Sequence, residues 1–151
     1  MSEGYKIRDQ TLPHFITFTV VDWIDVFTRQ TYNDVVNESL DYCIQNKGMI
    51  LFGYVIMSNH IHMIIQSQEA TLSDLIRDFK KFTAKSILEK IKNSPESRRD
   101  WMLERFKLAT ESHSKNKNYQ FYFASSLEKS SCGNMAIILK KCTATNLCRQ
   151  S

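Results

Sequence analysis

Two histidines one residue apart, His60 and His62, stand in the run Tyr54-Val55-Ile56-Met57-Ser58-Asn59-His60-Ile61-His62-Met63-Ile64-Ile65. In a strand, successive side chains alternate faces, so both imidazoles project the same way while Ile61 and Met63 point oppositely. Two neutral imidazoles on one rigid face supply two ligands to a borderline divalent ion such as Mn, Zn, Co or Ni; Mg fits where phosphate oxygens complete the shell. Two histidines also leave coordination positions open to a substrate, which suits Lewis-acid activation of a phosphodiester. The other reading of the same pair is structural: both rings hydrogen-bond to neighbours on a half-buried sheet.

The elements that position this pair can be read from periodicity. Ile16, Phe18 and Val20 alternate with Thr17 and Thr19 in His14-Phe15-Ile16-Thr17-Phe18-Thr19-Val20-Val21, the pattern of a strand with one buried face. Thr28 is the expected N-cap of a helix to about Asn46, with Tyr32, Val36, Leu40 and Cys43 as its buried stripe and Lys47-Gly48 as its stop. Two strands follow, about Met49–Met57 and His60–Gln66, as a tight hairpin or as a bulged corner that aims His60. Thr71-Leu72-Ser73-Asp74 reads as a capping box opening a helix to about Asn93. On one face that helix carries Arg77, Lys81 and Lys85, with Lys80 beside them. Ser94-Pro95 reads as the cap and first turn of a third helix bearing Trp101, Met102, Phe106 and Ala109. The order predicts an α+β fold: a ferredoxin-like antiparallel sheet with helices packed on one face, its last strand drawn from Tyr119-Gln120-Phe121-Tyr122-Phe123.

Composition bounds the function. The chain has 151 residues, 42% of them hydrophobic, enough for one domain with a real core. It lacks a membrane-length apolar run and a signal-like N-terminus, so the expectation is a cytoplasmic protein without membrane contact. Cys43, Cys132, Cys142 and Cys148 match no zinc spacing and read as reduced thiols. Charge is segregated. Residues 1–70 hold 4 Lys and Arg against 8 Asp and Glu, residues 71–129 hold 13 against 8, and residues 130–151 hold 3 against none. A basic second half offers a face to an anionic partner, or is simply a solvated helix surface. After Phe123 the composition shifts: no acid follows Glu128, and Cys, Ser and Thr become frequent.

The histidine run resembles the HUH strand of the single-tyrosine transposases, in particular the REP-associated tyrosine transposase branch. The flanks share the resemblance: residues 14–22 are similar to the family's opening strand, and Ser73-Asp74-Leu75-Ile76-Arg77-Asp78-Phe79-Lys80-Lys81-Phe82-Thr83 to the helix after its histidines. The likeness spans roughly residues 5–121. It implies a DNA transposase in which His60 and His62 are catalytic residues holding a divalent metal, Mg or Mn. A tyrosine would attack the scissile phosphate of single-stranded or hairpin DNA, and the protein would be a homodimer. Arg77, Lys80, Lys81 and Lys85 would then contact DNA phosphates.

The sequence departs from that family where its nucleophile is expected. About Thr143–Cys148 there is no tyrosine, and no Asn-Pro occurs in the chain. Tyr119 and Tyr122 are the only tyrosines beyond the histidines, and aromatic packing is the better reading of both. The expected organisation is therefore a transposase-like domain over 1–123 and a divergent tail over 124–151, poorly ordered or the product of a frameshift. Three readings compete: a transposase domain, active or decayed; a non-catalytic single-stranded nucleic-acid binder on the same scaffold; and a metal-dependent hydrolase unrelated to DNA. The helix from about Thr71 is expected to carry its basic face, Arg77, Lys81 and Lys85, near the histidine pair. That basic face beside the histidines disfavours the last reading, and the missing tyrosine favours the second over an active form of the first.

Overall fold

The alternation of Ile16 and Phe18 with Thr17 and Thr19 becomes strand β1, His14–Thr19. The structure, a computed structural model, describes residues 7, 9–69, 71–111, 119–122 and 126–129. Helix α1 spans Gln30–Asn46, strand β2 Met49–Ile56, strand β3 His60–Ser67, helix α2 Leu72–Asn93, helix α3 Arg99–Glu111, and strand β4 Ser126–Lys129. The sheet order is β2-β3-β1-β4. β3 runs antiparallel to both β1 and β2, and β4 antiparallel to β1. This is the ferredoxin-like antiparallel arrangement the element order predicts.

The two faces of the sheet differ in chemistry. Ile16, Phe18, Ile61, Met63 and Ile65 face the helices and join one core with Tyr32, Val36 and Leu40 of α1, Leu75 and Phe79 of α2, and Met102 and Phe106 of α3. The Phe18 ring lies 5.3 Å from Phe79 and 5.9 Å from Tyr122. On the opposite face Val55, Ile64 and Phe15 form a small separate cluster built of strand residues alone among the described residues. His60 and His62 are on that second face, paired across the ladder with Thr19 and Thr17.

Local details refine the expectations. α1 is preceded by Arg29 rather than Thr28, with no side-chain cap, and Thr28 instead turns its hydroxyl to the Asp25 carbonyl. α1 stops at Gly48, whose φ of +65° is the left-handed conformation a glycine takes without strain. β2 and β3 form a hairpin over residues 57–59, closed by the Met57 amide donating to the His60 carbonyl. The bulge lies further away, between Leu51 and Gly53. No capping box forms at Thr71, because its amide and hydroxyl engage the Ser67 hydroxyl instead.

Larger expectations are corrected as well. α3 starts at Arg99, not at Ser94-Pro95, because the intervening chain wraps the buried Glu96 carboxylate. The outer strand is β4; of the segment expected there, residues 119–122 are described and form no strand, Tyr122 making an isolated bridge to Val20 and the Gln120 amide donating to the Phe106 carbonyl, while Phe123 lies outside the described residues. Residues 126–129 thus belong to the sheet although the sequence reading placed them in the divergent tail. The rest of that tail, with the frameshift expectation and Thr143–Cys148, lies outside the described residues, as do Cys132, Cys142 and Cys148. Cys43 is buried and unbridged, and among the described residues no helix is long and apolar enough to cross a membrane.

Candidate metal centre and nucleic-acid interface

The strand period puts the two imidazoles together: the ring centroids of His60 and His62 are 4.6 Å apart, and both side chains are half-buried. Each ring has a partner at Nδ1. The Nδ1 of His62 shares a hydrogen bond of 2.8 Å with the Thr17 hydroxyl, and its ring stacks on Phe15 at 5.3 Å. The Nδ1 of His60 lies 2.7 Å from the Asn59 Oδ1.

The amide of Asn59 fixes the proton on His60. Its Nδ2 donates to the Trp23 carbonyl and to the Asp25 Oδ1, each at 3.2 Å. Both partners are acceptors, so the amide nitrogen faces them and the amide oxygen faces His60. The proton of neutral His60 therefore sits on Nδ1, and Nε2 carries the lone pair a metal ion needs. The donor set fits a borderline divalent cation. Among the described residues no third His, Cys, Asp or Glu joins the pair, so further ligands would come from substrate oxygens or from other donors.

A loop from the end of β1 to the start of α1 braces this corner. The Val20 amide donates to the Asn59 carbonyl at 2.9 Å, and the Phe27 amide to the Ser58 carbonyl at 2.8 Å. Within the loop Asp22 and Trp23 both hold φ of +54°, a conformation that side chains with a Cβ rarely adopt. The Trp23 ring meets His60 edge-on at 6.2 Å. Three arginines surround the loop. Arg105 pairs with Asp22 at 3.1 Å, and Arg98 donates to the Asp25 carbonyl. Arg29 and Arg98 also pair with Glu96 at 2.9 and 3.4 Å. Burial works to raise the Glu96 pKa, but the Arg98 backbone amide and the two guanidiniums outweigh it and hold the carboxyl below its ordinary value.

The other expected site residues lie elsewhere. α2 packs on the helix side of the sheet, so Arg77, Lys81 and Lys85, which turn outward from it, are separated from the histidine face by the sheet itself. Arg77 is further occupied by Asp74 at 2.6 Å and Asp78 at 3.2 Å. Lys80 is half-buried, and burial lowers its pKa. The proximity of this basic face to the histidines, a natural inference from chain order, is therefore corrected by the layer arrangement. Tyr122 is buried on the core side and donates to the Thr83 hydroxyl at 3.2 Å; burial drives its pKa well above the ordinary phenol value. Tyr119 is half-buried, with the Lys92 ammonium 4.5 Å over its ring. The sequence reading did not single out Thr17, Asn59, Trp23 or the three arginines as site residues. Only Asn59, an amide beside a histidine at a hairpin corner, carried a local signal for its role.

Comparison with known proteins bears on the fold and the family. Among curated proteins no sequence matches. A candidate transposase from Deinococcus radiodurans R1 has the same fold, with a TM-score of 0.52 and 14% identity, over 95% of this chain and 95% of that one. The REP-associated tyrosine transposase, solved bound to a REP hairpin, aligns with a TM-score of 0.56 and 12% identity, over 91% of this chain and 68% of its own. The family model described as "Transposase IS200 like" matches residues 11–126, a span that takes in β1, the histidine hairpin, all three helices and the start of β4. On that match the chain belongs to the IS200-like transposase family.

Proposed function

We propose that this transposase-family domain binds single-stranded or hairpin DNA across the sheet face that carries His60 and His62, and that these two residues hold a divalent ion, Mg or Mn, at a phosphodiester. The observation that carries the reading is the imidazole pair itself: two rings 4.6 Å apart on one face, each fixed through Nδ1. A transposase of the same fold solved with a DNA hairpin supports the choice of substrate. When bound, the ion would supply Lewis-acid polarisation of the phosphate. The chain's own residues orient and surround it: Thr17 and Asn59 hold the rings, and Arg98 and Arg105 offer cations at the rim of the same corner.

The nucleophile is a separate question. Tyr32 is bonded to Glu96, Tyr42 stacks on Phe82, Tyr54 is bonded to Asn37, Tyr119 lies under Lys92, and Tyr122 is sealed in the core with Thr83. A phenol must lie in line with the phosphate to attack it, and these placements give Tyr119 and Tyr122 other work. They favour a chain that binds metal and DNA without forming a phosphotyrosine link, either as a decayed transposase or as a non-catalytic single-stranded DNA binder. The test is incubation of the protein with Mn and a single-stranded hairpin, followed by titration calorimetry for the metal and a denaturing gel for nicks and adducts. His60→Ala and His62→Ala should abolish Mn binding, and no covalent adduct should form. An adduct lost in Tyr119→Phe or Tyr122→Phe would overturn the non-covalent reading, and Mn binding that survives both histidine changes would overturn the metal site. The cytoplasmic location and the homodimer stay part of the proposal, the latter tested by sedimentation.

A further inference from the structure

We propose that Trp23 is a stacking platform for an unpaired base of the DNA strand lying at His60 and His62, an inference that rests on the DNA-binding reading above. Trp23 is 61% exposed, the most exposed of the large hydrophobic side chains described. Its backbone, like that of Asp22, sits at φ +54°, where a bulky residue is strained and glycine is not. Burial does not compensate that strain, because the indole is mostly outside the core.

The surrounding bonds nevertheless enforce the conformation. The Trp23 amide donates to the Val20 carbonyl at 3.1 Å, its carbonyl accepts from Asn59, and Arg105 clamps Asp22. A network that holds an exposed indole in a costly conformation beside a candidate metal ligand is the arrangement expected of a ligand-facing residue. The ring centroid is 6.2 Å from that of His60, so a strand with a phosphate at the histidines passes the indole within one nucleotide. Aromatic faces accept any base, which fits a stacking contact without sequence choice. The loop's charge is compatible: Asp22 is neutralised by Arg105, Asp25 is engaged by Asn59, and the guanidiniums of Arg98 and Arg105 are partly exposed for phosphate.

The experiment uses intrinsic fluorescence. The chain has two tryptophans, so Trp101→Phe leaves Trp23 as the sole tryptophan, read by excitation at the red edge where tyrosine does not absorb. Titration of that protein with single-stranded oligodeoxythymidine should quench and shift the emission. Trp23→Gly should then weaken oligonucleotide binding about 5- to 150-fold, the range of one stacked base, while Trp23→Phe keeps most of the affinity. Because glycine accepts the φ, Trp23→Gly should melt no lower than the parent and bind Mn as the parent does. Unchanged emission together with unchanged affinity of Trp23→Gly would overturn the platform and leave the DNA-binding reading standing. A Trp23→Gly protein that loses Mn as well as DNA would show that the residue acts by placing His60, and would also overturn the platform. If the parent binds no oligonucleotide, both readings fall.

Discussion

Replacing Asn59 with Ala removes the group that decides which nitrogen of His60 is protonated. Three contacts vanish: the 2.7 Å bond to the His60 Nδ1 and the two 3.2 Å bonds to the Trp23 carbonyl and the Asp25 carboxylate. Each hydrogen bond of this kind contributes about 0.5–1.5 kcal/mol. Asp25 is exposed and regains water, so the expected loss of stability is about 1–2 kcal/mol, toward the low end of the sum. The functional effect is larger in proportion. Without the amide oxygen the ring is no longer held in the tautomer that presents Nε2, and support of this kind is worth about 10- to 100-fold in metal affinity, or roughly 1.4–2.7 kcal/mol. The assay is Mn titration by calorimetry alongside 15N NMR of the metal-free protein, in which the two ring nitrogens report the tautomer directly. Asn59→Asp is the control. It keeps an acceptor for the His60 Nδ1 but loses both donated bonds, so it should keep the tautomer while losing stability. An Asn59→Ala protein with the parent's tautomer and the parent's Mn affinity would refute the argument. So would an Asn59→Asp protein whose tautomer is as mixed as that of Asn59→Ala.

Further outcomes follow from the charged and aromatic groups. Glu96→Gln should destabilise the protein by about 1–3 kcal/mol at pH 7, since it strips the charge that Arg29 and Arg98 pair with while keeping an acceptor. The native Glu96 carboxyl titrates below its ordinary value, so its contribution is complete above an unfolded pKa of about 4.3 and is lost as the pH falls through the lowered native value. Thermal melts of the parent from pH 7 downward should therefore decline more steeply in acid than those of Glu96→Gln, and parallel curves would contradict this. Tyr122→Phe removes one buried hydroxyl whose partner Thr83 also bonds the Phe79 carbonyl, so it should cost about 1 kcal/mol or less in a denaturant melt and leave DNA binding unchanged. The triple change Arg77→Ala, Lys81→Ala, Lys85→Ala should leave the salt slope of oligonucleotide binding unaltered, because these cations lie across the sheet from the histidines. A slope reduced by one or more phosphate contacts would show that DNA reaches the helix layer instead.

How much was legible in the sequence depended on whether the signal was local. The alternation in β1, the α1 stripe and the His-x-His run are periodic patterns within a dozen residues, and period alone assigns them to faces. The ends of α2 and the stop at Gly48 were readable for the same reason. The start of α3 was not, because Ser94-Pro95 has the local chemistry of a helix cap. What overrides it is tertiary: the Glu96 carboxylate is drawn into the core by Arg29 and Tyr32, more than sixty residues earlier in the chain. The outer strand was misassigned for a similar reason, since pairing with β1 falls to Ser126–Lys129 rather than to the more apolar segment before it. The location of the basic face failed most instructively. Arg77, Lys81 and Lys85 follow the histidines closely in sequence, but α2 returns over the other side of the sheet.

That return gives the fold a division of labour between its faces, and the 20–29 loop is where the two sides meet. On the helix side α1 and α3 are tied through Glu96, which takes Arg29 at the entry to α1 and Arg98 just before α3. Arg98 also donates to the Asp25 carbonyl, the Asp25 carboxylate accepts from Asn59, and Asn59 holds His60. A continuous set of hydrogen bonds thus runs from a buried carboxylate in the helix layer to a candidate metal ligand on the far face. The same loop bears the strained Trp23 and is clamped again from α3 by Arg105. An imidazole on an isolated hairpin would be free to choose its tautomer and to swing with the corner. Here the corner is fastened through backbone at Val20 and Phe27 and through the Asn59 side chain, so its position is tied to the packing of α1 and α3. Precise placement of the histidine pair therefore depends on residues spread from Thr17 to Arg105, which is why the pair could be recognised from a dozen residues but its support could not.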